Sequence, residues 1–597
     1  MHQTPGSAPP GARRRLGFAA AGVLLGAADT YVVVVALPAI MAAVGVDLAH
    51  LQEAAPIISG FLLGYVAVLP LLGRLSDLFG RGPVLALCLV AFAAGSLLTA
   101  SANTLWVIVL GRTVQGAGGG GLVPVTLALV ADLWPPRRRG VPLGVVGAVQ
   151  EIGSVVGPIY GAALTTVSTW RAIFYINMPL AAAIAAGVRA PRRRLAASSG
   201  PAPSVDVAGR VLAALCIAAT VLAIASPPAL SNDLTMGVAF APLFGGAGIS
   251  SPIALVALVS AAAFVLREVF VGPRVRAVVP LRRIPGVLRR VDWPGALLVA
   301  LILGAVVIVF ASADPASGVV GSSAPILLPA AVLLTVLFVV RELRVDEPLI
   351  DLRALRDRAA VGSLLTSLAA GAALMAALVD VPVFARATVD PTSQVQAALV
   401  LARLLVAVPV GALLGGVLAD RAGYRAVAGA GLLVVTVSFA LMAGWTPTTL
   451  ADGFAGTGWL HPSDPVLVAA GLGFGLAIVP VTAAILGAVS TALHGMAASL
   501  TVAARLVGML AGLSLLTAVG LRRFYSVQAM LTPAAKLCPD TPLRCPAYDA
   551  LQTGAVVDEL HVIFLGAGAC ALLGALFAVA LLRRPRESPT PPLAVAA

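Results

Sequence analysis

Runs of about twenty apolar residues recur along the whole chain, separated by short connections that often carry arginine. This feature constrains the fold more than any other. A helix of roughly 20 residues crosses the ~30 Å hydrocarbon core of a bilayer. Within lipid, helices and closed barrels alone satisfy their own backbone. The runs read as spans near 16–44, 52–73, 83–101, 105–133, 141–166 and 172–189. Four more follow near 207–226, 250–271, 294–312 and 325–341. The last six lie near 360–385, 394–419, 426–444, 465–489, 496–521 and 557–582, which makes sixteen. The runs are long and continuous rather than short and alternating, which sets a β-barrel aside. Of the 597 residues, 59% are hydrophobic and 11% charged, more apolar surface than a soluble chain could hide. The expected fold class is an all-α polytopic membrane protein.

Charge placement orients it. Arginines cluster between spans, as at Arg13 to Arg15, Arg137 to Arg139, Arg192 to Arg194, Arg289 and Arg290, and Arg583 and Arg584. Under the positive-inside rule these are topology anchors rather than a nucleic-acid surface, and no groove-reading motif accompanies the net charge of +13. The rule puts both termini and the connections 134–140, 190–206, 272–292 and 342–359 in the cytoplasm of an inner-membrane protein. Segments 102–104, 227–249 and 313–324, outside on this reading, contain no Lys or Arg. The loop 522–556 would also be external, its length making its charges permissible. The first run is too long for a cleavable signal and carries Asp29, so it is expected to remain as a span.

Two internal repeats stand out. Ser204-Val-Asp206 through Leu215 resembles Arg290-Val-Asp292 through Leu301. The stretch from Ser251 to Arg267-Glu268 resembles that from Ser322 to Arg341-Glu342. Each unit is a helix pair, and a duplicated pair leaves the topology beyond it unchanged. The second repeat is a polar motif. Gly73-Arg-Leu75-Ser-Asp77-Leu-Phe-Gly80-Arg81 follows the second span, and Gly416-Val-Leu418-Ala-Asp420-Arg421-Ala-Gly423-Tyr-Arg425 follows the twelfth. A carboxylate at a helix end, beside cations and a neighbouring helix N-terminus, can latch two bundles in one state. The glycines permit the tight turn. By contrast, Gly116-Ala-Gly118-Gly-Gly-Gly121 fits a dinucleotide fingerprint only literally, because it lies within an apolar helix and follows no strand. Close helix packing is its expected role.

The paired loops resemble the signature of the major facilitator superfamily. Arg112-Thr-Val-Gln115-Gly116 resembles its R-x-x-Q-G element. Gly153, Gly157, Pro158 and Gly161 resemble its antiporter motif. Trp170-Arg171, Phe174, Asn177 and Pro179 resemble the sixth-helix entry of its fourteen-helix drug:proton antiporter group. Further stretches, including Asp29-Thr-Tyr-Val-Val-Val, Gln150-Glu151-Ile-Gly153, Leu378-Val-Asp380 and Ala504-Arg505-Leu, are similar to mycobacterial triacylglyceride and multidrug exporters that work with a lipid-carrying lipoprotein. The resemblance implies two pseudo-symmetric six-helix bundles, 1–190 and 356–597, joined by a linker 191–355 holding two helix pairs. The superfamily group has one such pair. It also implies a monomeric exporter that uses a proton gradient and no cofactor. The substrate would be a membrane lipid or an amphiphilic small molecule, with a periplasmic lipoprotein as partner.

Ionisable groups inside the bilayer cost about 2.5 kcal/mol or more and so call for a role. Here they are Asp29, Arg112, Glu151, Asp380, Arg403 and Arg505. Protonation of a carboxylate would remove its charge and shift which state is preferred. Asp29 and Glu151 are therefore the candidate proton carriers, with Arg112 in a coupling role. The competing reading is a structural ion pair, such as Glu151 with Arg112. The resemblance makes Asp29 and Asp380 pseudo-symmetric and cavity-lining. Arg505 reads as a cavity charge that meets a partner across the halves, an anionic headgroup or helix-end carbonyls, whereas Arg403 reads as structural. Cys538 and Cys545, seven positions apart in the predicted external loop, are expected to form a disulfide. No metal-ligand spacing, histidine relay or nucleophile elbow is found. A channel would need a pore filter, and a transport-dead sensor would be expected to have lost Asp29 or the loop carboxylates.

Overall fold

The computed structural model describes residues 11–46, 51–189, 204–225, 228–231, 233, 235–241, 251–270, 275–276, 292–311, 321–346, 348–389, 394–450, 461–538 and 545–582. Arg192 to Arg194, Arg289, Arg290, Arg583 and Arg584 lie outside them.

Among the described residues, sixteen long helices carry the fold. They are α1 (Ala12–Ala43), α2 (Leu51–Phe79), α3 (Arg81–Ser101), α4 (Leu105–Leu133), α5 (Gly140–Val167) and α6 (Arg171–Arg189); α7 (Val207–Ala225), α8 (Pro252–Phe270), α9 (Trp293–Ala311) and α10 (Ala324–Glu342); and α11 (Arg358–Thr388), α12 (Gln394–Ala422), α13 (Tyr424–Met442), α14 (Ser463–Ala488), α15 (His494–Gln528) and α16 (Pro546–Leu581). Fourteen contain an apolar stretch long enough to cross a membrane. In α7 and α8 the apolar stretches are shorter, Val207–Ala223 and Pro252–Phe264. The protein is a multi-pass integral membrane protein. β structure among the described residues is one parallel pairing, with Ser204–Val205 beside Val275–Arg276.

Two halves of six helices repeat one packing scheme. In the first, α1 lies on α5, α2 on α4, and α3 on α4 and α6. In the second, α11 lies on α15, α12 on α14, and α13 on α14 and α16. The halves meet along two seams that exchange under the same correspondence, α2 with α15 and α5 with α12. The turns before α3 and α13 depend on Gly80 (φ +88°) and Gly423 (φ +89°), a backbone conformation that costs other residues roughly 1–2 kcal/mol.

The linker pairs share a clasp. Asp206 accepts from the Gly209 N–H (2.9 Å) at the start of α7 and from the Arg267 guanidinium (2.6 Å) at the end of α8. Asp292 accepts from the Gly295 N–H (3.0 Å) and from Arg341 (2.6 Å) in the same way. The sequence repeat is thus a repeat of structure. The two pairs nevertheless sit in different places. The α7–α8 pair touches α3, whereas α9 packs against both α2 and α15, covering one seam.

The expectation that 522–556 is a loop is corrected. α15 continues to Gln528 and α16 begins at Pro546. At 1.5 Å per residue, the 35 residues of α15 reach about 52 Å, well beyond the hydrocarbon core. Hydropathy cannot detect a helix that goes on into water. Arg523 pairs with Asp558 (3.1 Å) across this hairpin, and Cys538 and Cys545 are joined at its tip.

Candidate functional site

Within the first half, Asp29 of α1 is buried and fully engaged. It receives Arg112 Nη1 of α4 (2.6 Å), Gln115 Nε2 (2.9 Å) and Asn177 Nδ2 of α6 (2.6 Å). Gln115 also donates to Ser96 (2.8 Å), and the Arg112 guanidinium stacks 4.2 Å from the Phe61 ring centroid. Removing one member of such a buried pair typically costs about 3–5 kcal/mol, because the other charge is left stranded. The antiporter motif builds the wall beside it. Added Cβ atoms at Gly153, Gly157 and Gly161 would strike Ala27, Ala28 and Val32 of α1, so these glycines hold α5 against the turns that flank Asp29. Pro158 lies inside the same helix.

A cavity of about 90 Å³, partly open to solvent, lies between the halves. Its wall is mostly apolar, including Phe61, Leu122, Leu374, Leu378 and Met509. Its polar groups include Glu151 and Gln150 of α5, Arg505 of α15, Tyr31 and Tyr65. Glu151 belongs to one half and Arg505 to the other, and they interact electrostatically across the cavity. Neither side chain has a hydrogen-bond partner among the described residues. The Glu151–Arg112 pair of the competing reading is not formed, since Arg112 belongs to Asp29. Asp29 and Asp380 do not line this cavity. Asp29 faces the interior of its own half, and Asp380 is buried in α11 with Glu559 of α16 as its charged neighbour. Arg403 pairs with Asp464 within the second half.

The two signature loops close the arginine-bearing end of the molecule, one on each seam. Asp77 accepts from the backbone N–H groups of Gly495 (2.8 Å) and Met496 (3.0 Å), capping α15 from the opposite half. Exposed N–H groups at a helix start favour a carboxylate. Arg81 pairs with Asp77 and donates to Ser76 (2.7 Å) and Asp132 (2.8 Å). Asp132 in turn contacts His494 Nδ1 (3.0 Å). On the other seam Asp420 accepts from the Gly140 N–H of α5. In both places glycine permits backbone contact. A Cβ on Gly73 would strike the Gly495 carbonyl, and one on Gly416 the Gly140 carbonyl. The position of Arg81 is taken on the second seam by Tyr424, buried, while Arg421 and Arg425 are exposed.

Sequence reasoning had not singled out Asn177, Asp132, Arg139 or His494 for this machinery. Asn177 carried a signal as part of the sixth-helix motif. The glycines of the false fingerprint pack as expected, with Gly116 against Phe61, Gly118 against Phe92 and Gly120 against Tyr65.

Comparison with known proteins agrees with this architecture. The sequence profile of the Major Facilitator Superfamily matches residues 19–513. The chain belongs to the major facilitator superfamily. It is 38% identical to a triacylglyceride transporter of Mycolicibacterium hassiacum over 84% of this chain and 78% of that protein. It is 36% identical to that of Mycolicibacterium smegmatis (93% and 84%) and 34% identical to that of Mycobacterium tuberculosis (97% and 97%). Among solved structures, the human organic anion transporter MFSD10 shares the fold at a TM-score of 0.51 and 15% identity, covering 96% of this chain and all of that one (100%). The protein is a membrane transporter rather than an enzyme.

Proposed function

We propose that this transporter exports glycerolipids of the triacylglyceride type across the inner membrane by alternating access, driven by protons, with the arginine-bearing end in the cytoplasm. The observation that carries the reading is the apolar cavity between the halves, with a carboxylate and a guanidinium facing it from opposite sides. Apolar walls suit acyl chains. The relatives named as triacylglyceride transporters, matched over most of their length, support that substrate class.

In this mechanism Glu151 is the accessible proton site. Ionised, it attracts Arg505 across the cavity; protonated, it releases that attraction and changes which face the halves prefer to open. The Asp29–Arg112 pair is the coupled charge. It sits against α1 at the glycine contacts of α5, so movement of α5 disturbs the cluster directly. Asp380 provides a further carboxylate in the second half. Both signature loops are engaged here, which corresponds to a state closed towards the cytoplasm. The projecting α15–α16 hairpin is the natural docking place for a periplasmic lipoprotein acceptor, with the protein acting as a monomer.

Proteoliposomes loaded with labelled triacylglyceride, with an acceptor outside and an imposed pH gradient, test this. Wild type is expected to move lipid in proportion to the gradient, with Glu151→Gln and Asp29→Asn folded but uncoupled. Lipid movement indifferent to the gradient in wild type, or full gradient-driven export by Glu151→Gln, would refute it. A parallel dye-efflux arm separates a lipid exporter from a drug antiporter.

A further inference from the structure

Beneath the cavity, towards the arginine-bearing end, lies a second and smaller pocket. It holds about 30 Å³ and shares Gln150 and Arg505 with the cavity as a common wall. Its other residues come from earlier turns of the same helices. They include 143–147 of α5, where the cavity has 150–154, and 366–370 of α11, where the cavity has 374–378. Both helices begin at the arginine-bearing end, so the pocket is the floor of the cavity on that side. Four of its side chains end in hydroxyls. Thr482 donates to the Ile478 carbonyl (3.0 Å) and Thr501 to the Ala497 carbonyl (2.9 Å), each within its own helix. Thr366 does neither. It is fully buried, and its Oγ1 has no hydrogen-bond partner among the described residues. Of the described buried hydroxyls left in that condition, it alone lines either cavity. A buried hydroxyl without a partner is costly, and groups of this kind are normally satisfied by something. Ser367 stands beside it, while Gln150 and Arg505 add N–H donors. Among the described residues no carboxylate lines the pocket, since Glu151 faces the cavity above. The rest of the wall is aliphatic apart from Gly147.

We propose, resting on the export reading above, that this pocket is the subsite for an ester carbonyl of the transported glycerolipid, with Thr366 as its specificity-determining donor. The lipid then stands with its glycerol end towards the arginine-bearing side and its acyl chains in the apolar cavity. A triacylglyceride presents acceptors only, three ester carbonyls and no N–H or O–H. That matches a pocket whose open groups are donors. A volume of about 30 Å³ takes a group the size of roughly two waters, which suits one carbonyl and excludes an acyl chain. A phosphate headgroup would compete with Glu151 for Arg505, whereas an uncharged ester leaves that attraction in place. A plain hydrocarbon would leave Thr366 unpaired. The pocket therefore selects the ester itself and not apolar bulk alone, because a site built to hydrogen-bond its ligand rejects an analogue that lacks the bonding group.

Displacement of a labelled triacylglyceride from the purified protein in nanodiscs tests this. The competitors are the unlabelled triacylglyceride and the trialkyl glycerol ether of equal chain length, which keeps the shape and lacks the carbonyls. Wild type is expected to bind the ester about ten-fold more tightly than the ether. Thr366→Val keeps the side-chain shape without the hydroxyl and should bring that ratio to about two or below. Thr366→Ser keeps the hydroxyl and should restore most of the preference. An equal loss of affinity for both lipids in Thr366→Val, with the ratio unchanged, would mark a structural role and overturn the proposal. Equal binding of the two lipids by wild type would overturn it as well, and that comparison decides even if Thr366→Val does not fold. Ester preference in a wild type that moves no lipid in the gradient assay would refute export and leave the subsite standing. Lipid movement without ester preference would do the reverse.

Discussion

The two seams between the halves obey one geometry and two chemistries. Each has a signature-loop aspartate capping a helix of the opposite half, a glycine-to-glycine backbone contact and a positive-φ glycine at the turn. On α2–α15, however, Asp77 has two backbone donors and sits in a network with Arg81, Asp132 and His494. That seam is also covered by α9. On α5–α12, Asp420 bonds one N–H, and Tyr424 replaces the arginine. The difference teaches that the fold's symmetry fixes where a latch must be, while its strength is set locally by the number of charges and donors. The α2–α15 seam should therefore dominate closure.

The largest effect tests that ranking directly. Asp77→Asn removes the charge from both N–H contacts and leaves Arg81 with Asp132 as its ion-pair partner, at a cost of about 1.5–3 kcal/mol, so the closed state should lose about ten-fold or more. Asp420→Asn should lose less. Transport rates together with labelling of cysteines placed at the latch end would show it, and equal losses would break the comparison. Next come the linker clasps. Arg341→Ala and Arg267→Ala each leave a buried aspartate unpaired, so both should lower the melting temperature in detergent. Only Arg341→Ala should also slow transport, because its pair packs on the α2–α15 seam. Slower transport in Arg267→Ala at equal abundance would assign the first pair a part in the cycle. The smallest effect sharpens the shared part of the geometry. Gly80→Ala and Gly423→Ala each force a positive φ on alanine, costing roughly 1–2 kcal/mol. They should destabilise equally, measured by thermal unfolding, despite the unequal networks beside them.

Much of this architecture was legible in the sequence because it is written in local patterns. Apolar runs marked the helices, and the duplicated Asp and Arg of the linker marked a repeated helix pair, though not the clasp that they form. The paired Gly-x-Leu-x-Asp segments marked both latches. What stayed hidden depends on helix rotation and on contacts between distant segments. Whether Arg112 turns to Asp29 or to Glu151 is decided by which faces of α1, α4 and α5 meet, and one spacing serves either choice. The cavity excludes Asp29 and Asp380 for the same reason. His494 looks like any polar residue ahead of a helix until Asp132, 362 positions away, is brought against it. The outer turns of α15 and α16 were lost to hydropathy because their residues face water.

On the proposed mechanism the halves alternate around the cavity, releasing the arginine-bearing end when the cavity's charges are changed. Spin-label distances at that end, between positions 79 and 491 on one seam and 136 and 425 on the other, measure it in a single preparation. Wild type is expected to show two distances at each seam, whose populations shift with protonation and with added triacylglyceride, while in Glu151→Gln the shift with protonation is lost at the 136–425 seam. A single unchanging distance at both seams, in protein that still transports lipid, would contradict it.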